Sequence, residues 1–277
     1  MMNMREAAVK AWIGIWYVVY VVLRVLLRLL IGKRRRNWVL NLLGIYRDRE
    51  FSAKYSGFLR YEPRVYRVIK NVLSKKNSRS FVDLGAFIGL HTIYAYRILR
   101  RKKDFTIIAV EPNPHNYQIL LEATRNIAGI RLVGEAIFIK DNEKVEFYLG
   151  SRGPNGLSMS SKIIPSGYHV SGWFLTSEVI KVRSVRLDTL IRRSGLDKVN
   201  LVKMDIEGAK YQVLTDPSLD LTRIDNLVVE VHYRYGSRES WEIMRALARH
   251  GFKIVPLYPD PNSNSFYLLA CRSEIPW

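Results

Sequence analysis

The chain has 277 residues, 48% apolar and 12% aromatic, enough for one large or two small domains with a sizeable core. Its single cysteine, Cys271, excludes an internal disulfide framework and a cysteine-based zinc site. A formal net charge of +19 invites a nucleic-acid reading, but the charge is unevenly placed: residues 1–79 hold 18 Lys/Arg against 4 Asp/Glu, and residues 80–277 hold 26 against 21. A nucleic-acid enzyme more often carries its basic patch around the catalytic cleft, so this distribution weighs against one.

Residues 11–31 read AWIGIWYVVYVVLRVLLRLLI, with Arg24 and Arg28 as the only charges. As a helix this segment extends about 31 Å, the thickness of a bilayer's hydrocarbon core. The cluster KRRR follows at residues 33–36, and Trp12, Trp16 and Tyr17 lie toward the other end, where an aromatic belt belongs. No small-residue cleavage site follows, which argues against a removable signal peptide. The expectation is a membrane-anchoring helix over residues 1–36, its two arginines snorkelling toward the basic flank and the catalytic domain held in the cytoplasm. An in-plane amphipathic helix and a helix packed on the protein's own body are the rival readings. Residues 37–79 read as a helical linker or cover, with Pro63 placed for the first turn of a helix over EPRVYRVIKNVLSKK.

From residue 80 to 277 short apolar runs alternate with helical stretches. SFVDL, FTIIAVEP, IRLVGEAIFI, KVEFYLG, EVIKVRSVRL, VNLVKMDI and NLVVEVH read as strands, and FKIVPLY with SFYLLACR as a closing antiparallel hairpin. GLHTIYAYRILRR, PHNYQILLEATRN, GAKYQVL and SRESWEIMRALARHG read as helices. The alternation predicts an α/β, Rossmann-like domain: a mostly parallel sheet with helices on both faces. Ligands in such sheets bind beyond the carboxyl ends of the strands. Four strand ends carry chemistry: Asp83 with Gly85, Glu111 with Pro112, Asp205 with Glu207 and Gly208, and Glu230 with His232.

The loop FVDLGAFIGLHT narrows the cofactor. A dinucleotide site needs glycine where Phe87 stands, because the backbone must approach a pyrophosphate there, and no phosphate-loop lysine follows. What remains is a glycine turn after a strand, with Glu111 at the next strand end, 26 residues after Gly85, placed to accept hydrogen bonds from two ribose hydroxyls. A cofactor with a ribose and an adenine but no phosphate fits this set, S-adenosylmethionine being the obvious one.

FVDLGAFIGLHT, AVEPNPHNYQILLEA, LVKMDIEGAKYQVL and VVEVH together resemble the successive motifs of the FkbM-type methyltransferases, over about residues 80–235. The resemblance implies a class I methyltransferase fold, a seven-stranded sheet whose last strand pairs antiparallel, and S-adenosylmethionine-dependent methyl transfer to a hydroxyl, often of a sugar. It implies that Gly85, Ala86 and Gly89 line the methionine part of the cofactor, and that Asp83 holds the loop or reaches the amino group. By the same resemblance Glu111 binds the ribose, Asn113 borders the adenine, and Glu135 with Ala136 flanks it. Phe87 departs from the family pattern, which commonly has Asn there; this touches a side-chain contact and leaves the backbone turn intact.

Methyl transfer to a hydroxyl needs a positioned acceptor and a group to take its proton. Asp205, Glu207, Glu230 and His232 are the candidate bases, and His232 has an ordinary pKa suited to that task. A divalent ion at these acids is the alternative use of the cluster; no metal is expected. Residues 150–178, rich in Gly and Ser, are too long for an ordinary connection and are the expected acceptor segment, with Trp173 and Tyr168 as stacking candidates and Ser158 and Ser160 in a serine-rich stretch. The expected acceptor is a small molecule, glycan or lipid-linked hydroxyl. An RNA methyltransferase and a non-catalytic membrane-bound scaffold remain the rivals.

Overall fold

The structure, a computed structural model, describes residues 62–150, 161–163, 178–257 and 264–273. The chain divides into two compact units, Met1–Phe58 and Leu59–Trp277, and all described residues lie in the second. Helix α1 spans Pro63–Leu73, with Pro63 in its first turn. Alternation then follows in chain order: β1 Ser80–Leu84, α2 Leu90–Leu99, β2 Thr106–Val110, α3 Pro114–Thr124, β3 Ile130–Val133, β4 Ala136–Ile137, β5 Lys144–Tyr148, β6 Lys162–Ile163, β7 Val179–Val185, α4 Leu187–Arg193, β8 Leu201–Met204, α5 Lys210–Thr215, β9 Asn226–Val231, α6 Arg238–Arg249, β10 Lys253–Leu257 and β11 Phe266–Cys271.

Seven strands form one sheet in the order β10-β11-β9-β8-β1-β2-β3. The pairs from β9 to β3 are parallel, while β11 runs antiparallel between β9 and β10. The sheet is therefore mixed, with the closing hairpin threaded so that its second strand lies inside and β10 forms the edge. The period-two alternation of side chains sorts residues cleanly onto two faces. Phe81, Ile107, Leu201, Val228 and Leu269 point to one face, where they pack with Val65, Val68, Ile69, Val72 and Leu73 of α1 and with Ala95 and Leu99 of α2. Val82, Ile108, Val202, Leu227 and Leu268 point to the other, against Leu190 of α4, Val213 of α5 and Ile243 of α6. Because α1 shares this core with five strands, it belongs to the same packed body as the sheet.

Two strand readings are corrected. IRLVGEAIFI is not one strand: the chain leaves the main sheet after Val133, and Ala136–Ile137 joins a second, four-stranded sheet in the order β4-β7-β5-β6. EVIKVRSVRL ends as a strand at Val185, because Leu187 opens α4. That corner is clamped by Arg186, whose guanidinium donates to Asp216 at 2.7 Å, Ile139 O at 2.9 Å, Ser218 O at 3.0 Å and Asp188 at 3.1 Å. Asp141 accepts from Arg186 N at 2.8 Å and from Thr189 Oγ1 at 2.7 Å, so the connection between β4 and β5 is tied to the start of α4.

No helix among the described residues is long and apolar enough to cross a membrane. The apolar segment 11–31 and its basic flank lie outside the described residues.

Candidate active site

From β1 the chain steps outward to β2 and β3, then returns to β8 on the other side of β1. This reversal makes the carboxyl ends of β1 and β8 the topological switch point, where open α/β sheets bind ligands. Gly85 sits at that point. Its φ is +76°, and a Cβ there would lie 2.0 Å from the carbonyl oxygen of Asp205, so only glycine lets the two strand ends approach. Gly85 N and Ala86 N both donate to Val110 O, at 3.0 and 2.9 Å, which folds the loop over the end of β2. Gly89, φ +91°, opens α2 against Leu120, whose Cδ1 would be 2.7 Å from an added Cβ.

Phe87 has a φ of +54°, a conformation costly for a residue with a side chain. Its backbone N–H donates to Glu111 Oε2 at 2.8 Å. The amide that a dinucleotide loop would turn toward a phosphate is thus committed to a carboxylate. Glu111 Oε1 accepts from Asn113 N at 3.0 Å. Each Glu111 oxygen therefore holds one backbone donor, and the Asn116 side chain adds a third hydrogen bond. Burial raises the Glu111 carboxyl to about 7, although the bonds from Asn113 and Phe87 pull the other way. A buried carboxylate at the end of β2, tied to the glycine loop, stands where the hydroxyls of a ribose would reach it. That donor set suits S-adenosylmethionine.

The other expected cofactor residues are placed as follows. Asp83 is fully buried beneath the loop, accepting from Thr92 Oγ1 at 2.7 Å with Lys203 Nζ at 3.5 Å, an arrangement that holds the loop to α2 and β8. Asn113 caps α3, accepting from His115 N at 2.9 Å and Asn116 N at 3.4 Å, and its amide donates to Ser161 Oγ at 2.9 Å. Glu135 is half-buried in the break between β3 and β4, 3.9 Å from Arg193, and Ala136 is buried at the start of β4.

The four candidate bases come together. Asp205 follows β8, its N–H donating to Leu84 O at 2.9 Å. His232 follows β9 and lies between acids: Nδ1 is 2.9 Å from Glu207 Oε2, and Nε2 is 3.3 Å from Glu230 Oε1 and 3.8 Å from Asp205 Oδ1. Burial disfavours the charged imidazole, but Glu207 and Glu230 outweigh it and push His232 up to about 9. Its carboxylate neighbours therefore favour the imidazolium over the neutral base at neutral pH. Burial raises the Glu230 carboxyl, an effect its His232 bond only partly offsets. Burial would raise Asp205 too, but Lys203 and Lys210 hold its carboxyl far below the usual range. Gly208, φ +81°, completes the D-I-E-G turn: an added Cβ would stand 1.7 Å from Ile163 O of β6, and Ile163 N donates to Glu207 O at 3.3 Å.

Three further residues enter the site unannounced by the sequence reading. Lys203 is buried in β8, donates to Gly85 O at 3.0 Å and faces Asp83 and Asp205 at 3.5 and 3.7 Å. Burial opposes its charge, yet Asp83 and Asp205 raise its pKa above the usual lysine value. The signal was available: a lysine inside the apolar run LVKM must find carboxylates. Lys210 is likewise buried, 3.4 Å from Asp205 Oδ1, and donates to Glu230 O. Glu62, just ahead of α1, lies 2.9 Å from His91 Nε2. One oxygen each of Glu62, Asp205 and Glu230 lies within 4.8 Å of the others, as do ligand atoms of Asp205, Glu207 and His232. Ser158, Ser160, Tyr168 and Trp173 lie outside the described residues.

The Methyltransferase FkbM domain family matches residues 83–254, more than half of the chain. This protein belongs to the FkbM methyltransferase family. It is an S-adenosylmethionine-dependent methyltransferase, with a class I methyltransferase-like α/β fold. A protein named Methyltransferase 1 from Beauveria bassiana is 28% identical over 69% of this chain and 80% of its own length. The hexuronic acid methyltransferase AglP of Haloferax volcanii is 25% identical over 54% of each protein, so the FkbM chain described here spans about half of that relative. The 2-O-methyltransferase NoeI of Sinorhizobium fredii is 25% identical over 65% of this chain and 72% of its own. Among solved structures, an FkbM methyltransferase from Methylobacillus flagellatus covers 70% of this chain and 43% of its own at 16% identity and a TM-score of 0.39.

Proposed function

We propose that this methyltransferase acts on a hydroxyl of a sugar, glycan or lipid-linked acceptor at the cytoplasmic face of a membrane. The observation that carries the reading is the acid cluster of Asp205, Glu207 and Glu230 around a cationic His232, set beside the glycine loop. When bound, the cofactor supplies an electrophilic methyl group whose leaving thioether is neutral and needs no acid. The protein's part is to hold the acceptor hydroxyl in line and take its proton as the O–CH3 bond forms and the C–S bond breaks. Asp205 stays ionised beside Gly85, held by Lys203 and Lys210, and Glu230, whose carboxyl burial raises, is the carboxylate better matched to that proton. His232 positions the carboxylates and balances their charge.

By the names they carry, AglP supports a sugar-acid acceptor and NoeI an oxygen acceptor. The membrane setting is supported by the apolar segment 11–31 with its basic flank. The RNA reading would put the basic excess around the cleft, whereas residues 80–277 hold 26 Lys/Arg against 21 Asp/Glu. Mass spectrometry of membrane glycans and lipids from cells with and without the protein tests the acceptor: a hydroxyl-bearing species one CH2 heavier only when the protein is present is the expected result. Calorimetric titration with S-adenosylmethionine tests the cofactor half. Glu111→Ala should lose binding, whereas Glu230→Ala should keep most of the binding and lose turnover; normal turnover by both variants would overturn the assignment.

A further inference from the structure

The cluster of Asp205, Glu207 and His232 has the composition of a divalent-cation site, and its ligand atoms lie within 4.8 Å of one another. Its surroundings argue otherwise. Asp205 Oδ1 faces Lys210 Nζ at 3.4 Å, and Asp205 Oδ2 faces Lys203 Nζ at 3.7 Å, so neither oxygen is clear of a fixed ammonium. Both ring nitrogens of His232 point at carboxylate oxygens. Lys210 is itself anchored: only 4% exposed, it rises from the start of α5 and donates to the backbone carbonyl of Glu230 at the end of β9.

We propose that Lys210 is the cleft's own cation, a positioning residue that occupies the electrostatic place a divalent metal would need, so that the acceptor site works without one. Five carboxylates, Glu62, Asp83, Asp205, Glu207 and Glu230, converge here, and Lys203, engaged with Asp83 and Gly85 O, does not balance them even with a protonated His232. Lys210 supplies the second fixed positive charge and joins the ends of β8 and β9, which sets the direction of the Asp205 carboxylate relative to His232. A metal bound to Asp205 Oδ1 at about 2.3 Å would lie within about 6 Å of the Lys210 ammonium. Even with the full dielectric of water, that repulsion weakens divalent binding about tenfold, and more within the cleft.

The inference rests on the reading of this cleft as the acceptor site, and its test needs no acceptor. Mn2+ binding to the full chain is followed by electron paramagnetic resonance, alongside calorimetry with S-adenosylmethionine. The wild type should bind the cofactor and show no saturable Mn2+ site that disappears in Asp205→Asn. Lys210→Met, of similar length and uncharged, should keep cofactor affinity and gain Mn2+ affinity at least about tenfold, while Lys210→Arg should gain none. Lys210→Gln serves in the same way if the Met variant does not fold. A stoichiometric, Asp205-dependent Mn2+ site in the wild type overturns the proposal, as does a folded, cofactor-binding Lys210→Met that binds no more Mn2+ than wild type. Failure of the wild type to bind S-adenosylmethionine would instead strike at the cofactor assignment.

Discussion

The charge on His232 is open to direct measurement. Its value of about 9, against 6.5 for an ordinary histidine, corresponds to about 3 kcal/mol favouring the imidazolium in the folded protein. The folded pKa is raised above the unfolded one, so this contribution is fully present below about pH 6.5 and is lost as pH rises through 9. Roughly 40% of it remains at pH 8. Heteronuclear NMR across pH 5 to 10 should show one imidazole titrating near 9, absent from His232→Gln. His250 offers a reference in the same spectrum, since burial and Arg272 lower its pKa. Glu207→Gln should bring the His232 midpoint down by at least about one pH unit, since the acid 2.9 Å from Nδ1 is gone. Urea unfolding at pH 6.5 and 9 should show a loss of stability that is smaller in His232→Gln. A midpoint at or below 6.5 would refute the reasoning: His232 would then be neutral at pH 7 and the natural base.

Other outcomes follow from the same geometry. Because burial raises Glu111 to about 7, cofactor affinity should strengthen several-fold between pH 6 and 8 as the carboxylate ionises, and Glu111→Gln should flatten that dependence in calorimetry. Gly208→Ala places a Cβ 1.7 Å from Ile163 O at a φ of +81°, and should cost about 2–4 kcal/mol in denaturant unfolding. Arg186→Ala leaves Asp216 without its guanidinium and Asp188 with only that of Arg192 at 3.3 Å, and should cost about 2–3 kcal/mol in denaturant unfolding, with unfolding no longer a single step if the second sheet loosens first.

The sheet was legible because its strands are long apolar runs separated by strongly periodic helices, and because a ligand site follows from topology once strand ends are known. Glu111 and the glycine loop could be read for the same reason. The second sheet was not legible: β4 and β6 have two residues each, and KVEFY alternates as any half-buried strand does, with nothing in it to name its neighbours. The setting of His232 was half legible: Glu230, two positions earlier, shares its face by strand alternation, whereas Glu207, 25 positions earlier, reaches Nδ1 only through packing. Lys203 and Lys210 announced themselves only as lysines needing partners. Glu62 reaches the site from ahead of α1, the helix that covers one face of the sheet, and no spacing rule connects it to Asp205.

Leu149 N donates to Glu178 O at 2.8 Å, and Tyr148 pairs with Val179, so the long acceptor segment leaves and re-enters the second sheet at adjoining positions. Between those points Ile163 is pinned by backbone contact to the turn at Gly208. Ser161 is fastened too, its hydroxyl accepting from the Asn113 amide at 2.9 Å, while the second sheet that anchors both ends carries none of the ribose-holding residues. A change of residues between these fastenings therefore leaves Glu111 and the glycine loop in place.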